Sequence, residues 1–141
     1  MKKLVFTKGG FHIDNRGTIN FNNNFDATAI KRMYLISNSV HLEYRRWQGH
    51  KIESRWFSNV IGEVEIQVIH IDDWNQPDKN LPVKSFKLKG NGLDILYVPN
   101  GYVTSIKCNE ALSKVLVMSD HALDEVDDEY KFPTDYFFNA N

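Results

Sequence analysis

The sequence is short of several things, and each shortage closes a class of function. A single cysteine, Cys108, leaves no partner for an internal disulfide and no cysteine-based zinc site. That residue reads as a small buried hydrophobe. Positive charge is not in excess: 17 Lys and Arg against 18 Asp and Glu give a net charge of −1. Non-specific nucleic-acid binding needs a basic surface, so no nucleic-acid partner is expected. Long apolar runs are missing too. Leu4-Val5-Phe6, behind the charged start, is too short for a signal peptide or a membrane span. A cytoplasmic protein without a membrane partner is therefore expected. No internal repeat marks a solenoid or a propeller.

What is present is enough apolar residue, 42% of 141, for one core, and a single domain over 1–141 is expected. The patterning is that of strands. Leu4 to Thr7 closes on Gly9-Gly10, Ile13 to Ile19 is a turn between apolar flanks, and Phe21 to Asp26 is a polar loop. Ile30 to Ile36 is a strand ended by Ser37-Asn38-Ser39, and Val40 to Trp47 and Ile52 to Ile61 read as two more. Glu63 to Val68 alternates strictly and is the clearest strand of all. After the long turn Asp72–Asn80 come strands at Val83–Leu88, Leu93–Val98, Val103–Ile106 and Leu112–Met118, with Pro99-Asn100-Gly101 as a tight turn. Short strands with turn signals at this spacing indicate an antiparallel sandwich or barrel. The character changes beyond Ser119. Ala122 to Tyr130 is acidic, with a short helix expected and a solvated face for Asp124 to Glu129, and Phe132 to Phe138 is an aromatic tail that must pack on something.

One stretch concentrates reactive side chains. Between Arg45 and Phe57 stand four basic residues, His50, Glu53, Trp47 and Trp56. Asp14-Asn15-Arg16-Gly17, Ala29 to Tyr34, Arg45 to Lys51, Leu96 to Gly101, and Val117 to Asp120 followed by Asp124-Glu125 and Tyr130 occur in this order. Together they resemble the RmlC-like cupin enzymes that act on nucleotide-linked keto-sugars. The nearest likeness is to the WxcM-like dTDP-sugar 3,4-ketoisomerases, the more distant to the dTDP-4-dehydrorhamnose 3,5-epimerases. The resemblance covers nearly the whole chain. It implies an all-β cupin-type double-stranded β-helix, or jelly roll, with a short C-terminal helical and aromatic tail. It also implies a nucleotide-sugar substrate and no cofactor. A homodimer is implied as well, with the N-terminal strand and the aromatic tail expected at its interface.

By the family's spacing His50 falls on the second histidine of its His-Ala-His motif, and Gln48 on the first. An amide has no proton that titrates near neutral pH, so Gln48 cannot serve as a base. The epimerases' later histidine falls at Thr104 and their catalytic tyrosine near Leu116, which leaves their particular mechanism without its groups. The positions of a metal cupin's ligands hold Gln48, His50, Arg55 and Thr104, so no metal is expected.

The resemblance implies His50 as the proton-transfer group. By their chemistry Arg16, Arg45, Lys51 and Arg55 are candidates for the diphosphate or a developing enolate, and Tyr34, Tyr97 and Gln48 for the sugar. Beside these stand plainer readings: a hydrogen-bonded strand histidine, solvated strand-edge cations, core tyrosines, and Trp47 and Trp56 as buried aromatics rather than stacking platforms. Surface or strand roles are expected for His12, His41, His70 and His121. Strict alternation places His50 and Arg55 on opposite faces unless a bulge or turn intervenes near Glu53-Ser54. The expected activity is isomerisation or epimerisation of a nucleotide-linked, dTDP-type 4-keto-6-deoxy sugar in bacterial cell-surface polysaccharide synthesis. The alternative is a cupin without catalysis that binds a sugar nucleotide or a partner enzyme.

Overall fold

A computed structural model describes residues 2–37 and 43–140. Among the described residues twelve strands follow one another: β1 (Val5–Thr7), β2 (Gly10–Asp14), β3 (Gly17–Phe21), β4 (Arg32–Ser37), β5 (Arg45–His50), β6 (Arg55–Ile61), β7 (Glu63–His70), β8 (Lys84–Lys89), β9 (Ile95–Val98), β10 (Tyr102–Cys108), β11 (Lys114–Ser119) and β12 (Tyr130–Lys131). Two five-stranded sheets face each other, ordered β1-β9-β6-β11-β4 and β12-β5-β10-β7-β8, and β2-β3 forms a separate hairpin. Every pairing is antiparallel. From β5 onward each strand after a loop joins the opposite sheet, apart from the β7–β8 hairpin, as the expected jelly roll requires.

The strictly alternating stretch behaves as its pattern demands. In β7, Val64, Ile66 and Val68 face the opposite sheet and are fully buried with Phe57, Leu88, Leu96, Val115 and Val117. Cys108 joins this core as the small hydrophobe expected of it. Burial at both faces carries β7 on to His70, two residues past the expected end at Val68. On the reverse face Ile69 and Ile71, with Trp47 and Val103, form a second cluster.

The aromatic tail covers that second cluster. Phe137, 2% exposed, meets Trp47 edge-on with ring centroids 5.3 Å apart. Trp47 and Phe132 exchange backbone hydrogen bonds, and the indole Nε1 donates to the Thr134 carbonyl at 3.3 Å. The tail packs on its own chain through Phe137 because the outer face of the second sheet is itself apolar, while Phe138 stays exposed. Trp47 is the buried aromatic of the plainer reading.

Three expectations about elements are corrected. Among the described residues there is no helix: 120–129 is a chain of turns, with Asp124 at φ 61°. The stretch from Ile13 to Ile19 is a hairpin rather than a lone turn. The strand expected from Ile52 begins only at Arg55, because residues 51–54 carry the chain from one sheet to the other. The expected strand start at Val40, the strand end at Asn38-Ser39, and His41 lie outside the described residues.

β5 carries an irregularity that decides which way its side chains point. Thr104 pairs with Gln48 but Ser105 with Arg46, so Trp47 is an extra residue in the ladder. Trp47 and Gly49 thereby face the tail, while Gln48 and His50 face the space between the sheets. Gly49 must lack a side chain, since a Cβ there would lie 2.6 Å from Trp74.

Truncating Phe137 to alanine should cost about 3–5 kcal/mol, the range for emptying a buried aromatic site. Urea unfolding should show this as a lower midpoint at an unchanged slope.

Candidate active site at the open end of the sandwich

The loops 51–54, 99–101 and 120–129 gather at one end of the two sheets. There the apolar core gives way to a cavity of about 300 Å³. Its lining includes Arg32, Tyr34, Gln48, His50, Glu53 and Arg55, with Asp124, Asp127, Asp128 and Glu129 from the last loop.

The turn that ends β5 owes its shape to a residue far along the chain. The Asp128 carboxylate accepts from the Lys51 amide through Oδ1 at 2.7 Å, and through Oδ2 from Ile52 at 2.9 Å and Glu53 at 2.7 Å. Three consecutive amides then point one way, and the chain leaves β5 to enter the facing sheet. Asp120 does the same for the next residue, accepting from the Ser54 amide at 2.9 Å. The Pro99-Asn100-Gly101 turn closes the other side. Gly101, at φ 100°, donates its amide to the His50 carbonyl at 2.7 Å, and the Asn100 side chain donates to the Lys51 carbonyl at 3.0 Å. The result answers the alternation problem: a turn, not a bulge, brings His50 and Arg55 to one cavity.

His50 is 7% exposed. Its Nδ1 lies 3.1 Å from the Asp128 backbone carbonyl. A carbonyl only accepts, so Nδ1 carries the proton and the neutral ring keeps its lone pair on Nε2. The carboxylates of Asp128 and Glu53 are also near Nδ1, at 3.8 and 3.9 Å. Burial lowers the imidazole pKa below its ordinary 6.5, and the Arg55 charge lowers it further, against the pull of Glu53 and Asp128. The neutral form is therefore held at neutral pH, the form able to accept a proton. The linkage to stability has a definite sign. Because the folded-state pKa lies below the unfolded 6.5, this contribution is complete above pH 6.5 and is lost as pH falls through the folded value.

Arg55 is held on two sides. Its Nη2 donates to Glu53 Oε2 at 2.8 Å and its Nη1 to the Tyr34 hydroxyl. Ser119 Oγ donates to the same Glu53 oxygen at 3.2 Å. The Gln48 amide donates to Glu129.

Of the residues singled out in the sequence, Tyr34, Gln48, His50 and Arg55 come together in this cavity. The others lie elsewhere. Arg16 is exposed at the tip of the β2–β3 hairpin, with its guanidinium 2.6 Å from Asp14. Arg45, exposed at the start of β5, borders a separate groove with Arg46 and Lys131. Lys51 is exposed on the turn. Tyr97 stands on the outer face of the first sheet against Trp56, at 4.8 Å, with its hydroxyl donating to Ser54 Oγ at 3.3 Å.

Arg32, Glu53, Ser119 and Asp128 were not among those candidates. The solvated face expected of the acidic run fails at Asp128, which is 4% exposed. No local pattern marks it, because the amides it holds lie 75 to 77 residues away. Arg32 did carry a signal: it stands two residues before Tyr34 on one strand, hence on one face. His121, expected at the surface, is bonded to Asp120 at 2.7 Å. Among the described residues no group of three or more His, Cys, Asp and Glu side chains is placed to hold a metal ion. Glu53 is bonded to Arg55 instead, and a cation has no place beside that guanidinium.

No protein-family model matches the chain, and no curated protein matches it. Solved structures do. The dTDP-4-dehydrorhamnose 3,5-epimerase of Bacillus anthracis, solved with TDP and PPi bound, superposes with a TM-score of 0.75 at 10% identity, over 94% of this chain and 79% of that one. The sugar 3,4-ketoisomerase QdtA of Thermoanaerobacterium thermosaccharolyticum, in complex with TDP, gives 0.69 at 18% identity, over 94% and 90%. The 4-keto-6-deoxy sugar epimerase NovW of Streptomyces spheroides gives 0.74 at 13% identity, over 95% and 72%. The architecture is thus the RmlC-like cupin jelly roll. At these identities the likeness establishes the fold, and the chemistry must be argued from the cavity.

Two outcomes test the site without any ligand. A ¹⁵N NMR titration of the imidazole should show the Nδ1–H tautomer and a midpoint below 6.5, moved up when Arg55 becomes Gln. Asp128→Ala should lose on the order of 3 kcal/mol, from three charge-assisted bonds that are not additive. Asp128→Asn should lose nearly as much, since its NH₂ must face at least one of the same amides.

Proposed function

We propose that the protein is an isomerase or epimerase of a nucleotide-linked 4-keto-6-deoxy sugar, dTDP being the expected nucleotide, acting by proton transfer without a cofactor. The observation that carries this reading is His50. It is a buried, neutral imidazole with Nδ1–H committed to a carbonyl, at the wall of a cavity sized for a sugar ring rather than a whole sugar nucleotide. The fold, shared with enzymes whose substrates are of this kind, supports it.

In this mechanism Nε2 of His50 takes a proton from the carbon beside the ketone, and the electron pair moves to the ketone oxygen as an enolate. The Tyr34 hydroxyl, polarised by Arg55, is placed to donate to that oxygen. With Gln48 in place of a second histidine, the proton leaves and returns on the face that His50 commands. The ketone migrates when the proton returns to the former ketone carbon of the enediol while the neighbouring hydroxyl gives up its own proton and becomes the new ketone. Inversion at carbon needs a second acid on the opposite face. Within the class, ketone isomerisation is the reading that one base supports.

The proposal extends to a cytoplasmic homodimer serving cell-surface polysaccharide synthesis. An outer row of Met33, Met118, Trp56, Tyr97 and Val5, aligned across the first sheet with Met33 and Val5 exposed, supports self-association.

Incubation with a dTDP-4-keto-6-deoxyhexose in deuterated water should place deuterium next to the ketone, read by mass spectrometry. His50→Asn should lower that exchange on the order of 10²–10⁴-fold, the usual weight of a general base. Binding without exchange in the wild type would instead make the chain a non-catalytic sugar-nucleotide cupin. Exchange that survives His50→Asn would mean that another group is the base.

A further inference from the structure

Two guanidinium groups line the cavity, and among the described residues only one of them has a carboxylate partner. Arg55 has Glu53 and Tyr34. Arg32 opens β4, pairs across the ladder with Ser119, and points with Tyr34 into the cavity. Among the described residues no carboxylate forms an ion pair with it. Among the described residues its Nε is buried without a hydrogen-bond partner, as is that of Arg55, but Arg55 has a carboxylate on its Nη2 and Arg32 has none.

The carboxylates of the lining show why Arg32 stands alone. Glu53 is bonded to Arg55 and Ser119, Asp128 to three backbone amides, and Glu129 to the Gln48 amide. Asp124 and Asp127 line the same cavity without pairing to Arg32. The guanidinium does not swing free, because the Tyr34 ring lies under it, with Cζ 5.2 Å from the ring centroid. A buried donor of a charged group without a partner is costly and calls for an explanation. A planar, permanently charged group held rigidly at a cavity wall is built to receive an oxyanion in two parallel bonds.

Resting on the function proposed above, we infer that Arg32 is the residue that binds the substrate's oxyanion, whether a phosphate oxygen or the enolate oxygen formed beside His50. Arg55, the arginine singled out in the sequence, is instead a positioning residue whose charge Glu53 already neutralises. Its effect reaches the substrate through the Tyr34 hydroxyl and the His50 ring.

Arg32→Gln and Arg32→Lys test this, with Arg55→Gln as the contrast. Without ligand, Arg32→Gln should melt close to the wild-type temperature, because no ion pair is broken and only the contact with the Tyr34 ring is lost. Arg55→Gln should melt lower, because it strands Glu53 in a buried site. If the anion is a phosphate, calorimetry should show dTDP binding at least tenfold weaker in Arg32→Gln. If it is the enolate, dTDP affinity should hold and deuterium exchange into the keto-sugar should fall at least a hundredfold. In either arm lysine should restore part of the loss. Wild-type dTDP affinity together with wild-type exchange in Arg32→Gln would overturn the inference, as would a melting loss equal to that of Arg55→Gln. Should the wild type neither bind dTDP nor catalyse exchange, the proposed function falls and inorganic pyrophosphate decides the rest. Binding that Arg32→Gln abolishes would support an oxyanion site at Arg32, and no binding would overturn it.

Discussion

The site depends on one carboxylate that does no chemistry of its own. Asp128 gathers three successive amides of the 51–53 turn, and its backbone carbonyl faces Nδ1 of His50. A single residue thus sets where β5 stops, where the chain crosses to the other sheet, and which nitrogen of the imidazole carries the proton. Without that clamp the amides of a sharp turn would want for protein acceptors, at the greatest cost where the turn is buried, at Glu53. The segment that supplies Asp128 is in turn held by β12, paired to β5 at Gly49 and Gln48, and by the aromatic tail packed on Trp47. Tail, strap and turn form one mechanical unit whose product is the orientation of His50.

The charges around that histidine are organised by burial rather than by number. Five carboxylates and two guanidinium groups line the cavity, yet most of the acids are occupied by hydrogen bonds within the protein. Glu53 and Arg55 cancel each other at 2.8 Å, so their separate effects on His50 oppose, and desolvation decides the direction of its pKa. The base is neutral because it is dry. This leaves Arg32 as the one cation of the lining that faces the cavity with no carboxylate paired to it among the described residues.

Much of the fold was legible from local pattern. Glu63 to Val68 alternates because one face meets a core, and the Pro99-Asn100-Gly101 turn follows from a glycine that must adopt φ 100°. The strand through Arg32 and Tyr34 and the buried Cys108 were equally readable. The site was legible only where period two applies. Gln48 and His50 share a face, as do Arg32 and Tyr34, although Arg32 was passed over. Where alternation breaks, the reading broke with it: the extra residue at Trp47 and the turn at 51–54 reassign faces in a way that no nearest-neighbour rule conveys.

By itself, then, the sequence determined that strands would form, that an antiparallel sandwich or barrel would bury them, and that reactive side chains cluster from Arg45 to Phe57. These follow from side-chain periodicity and turn chemistry, which act over a few residues. Only the tertiary structure decided that Asp128 is buried beneath a turn 75 residues away, that Arg16, Arg45, Lys51 and Tyr97 stand apart from His50, and that the aromatic tail covers its own chain. Those outcomes come from hydrogen bonds and apolar surface closed over long loops. The partners in such contacts are chosen by which faces the packed sheets leave open, and that is written in no single stretch of the chain.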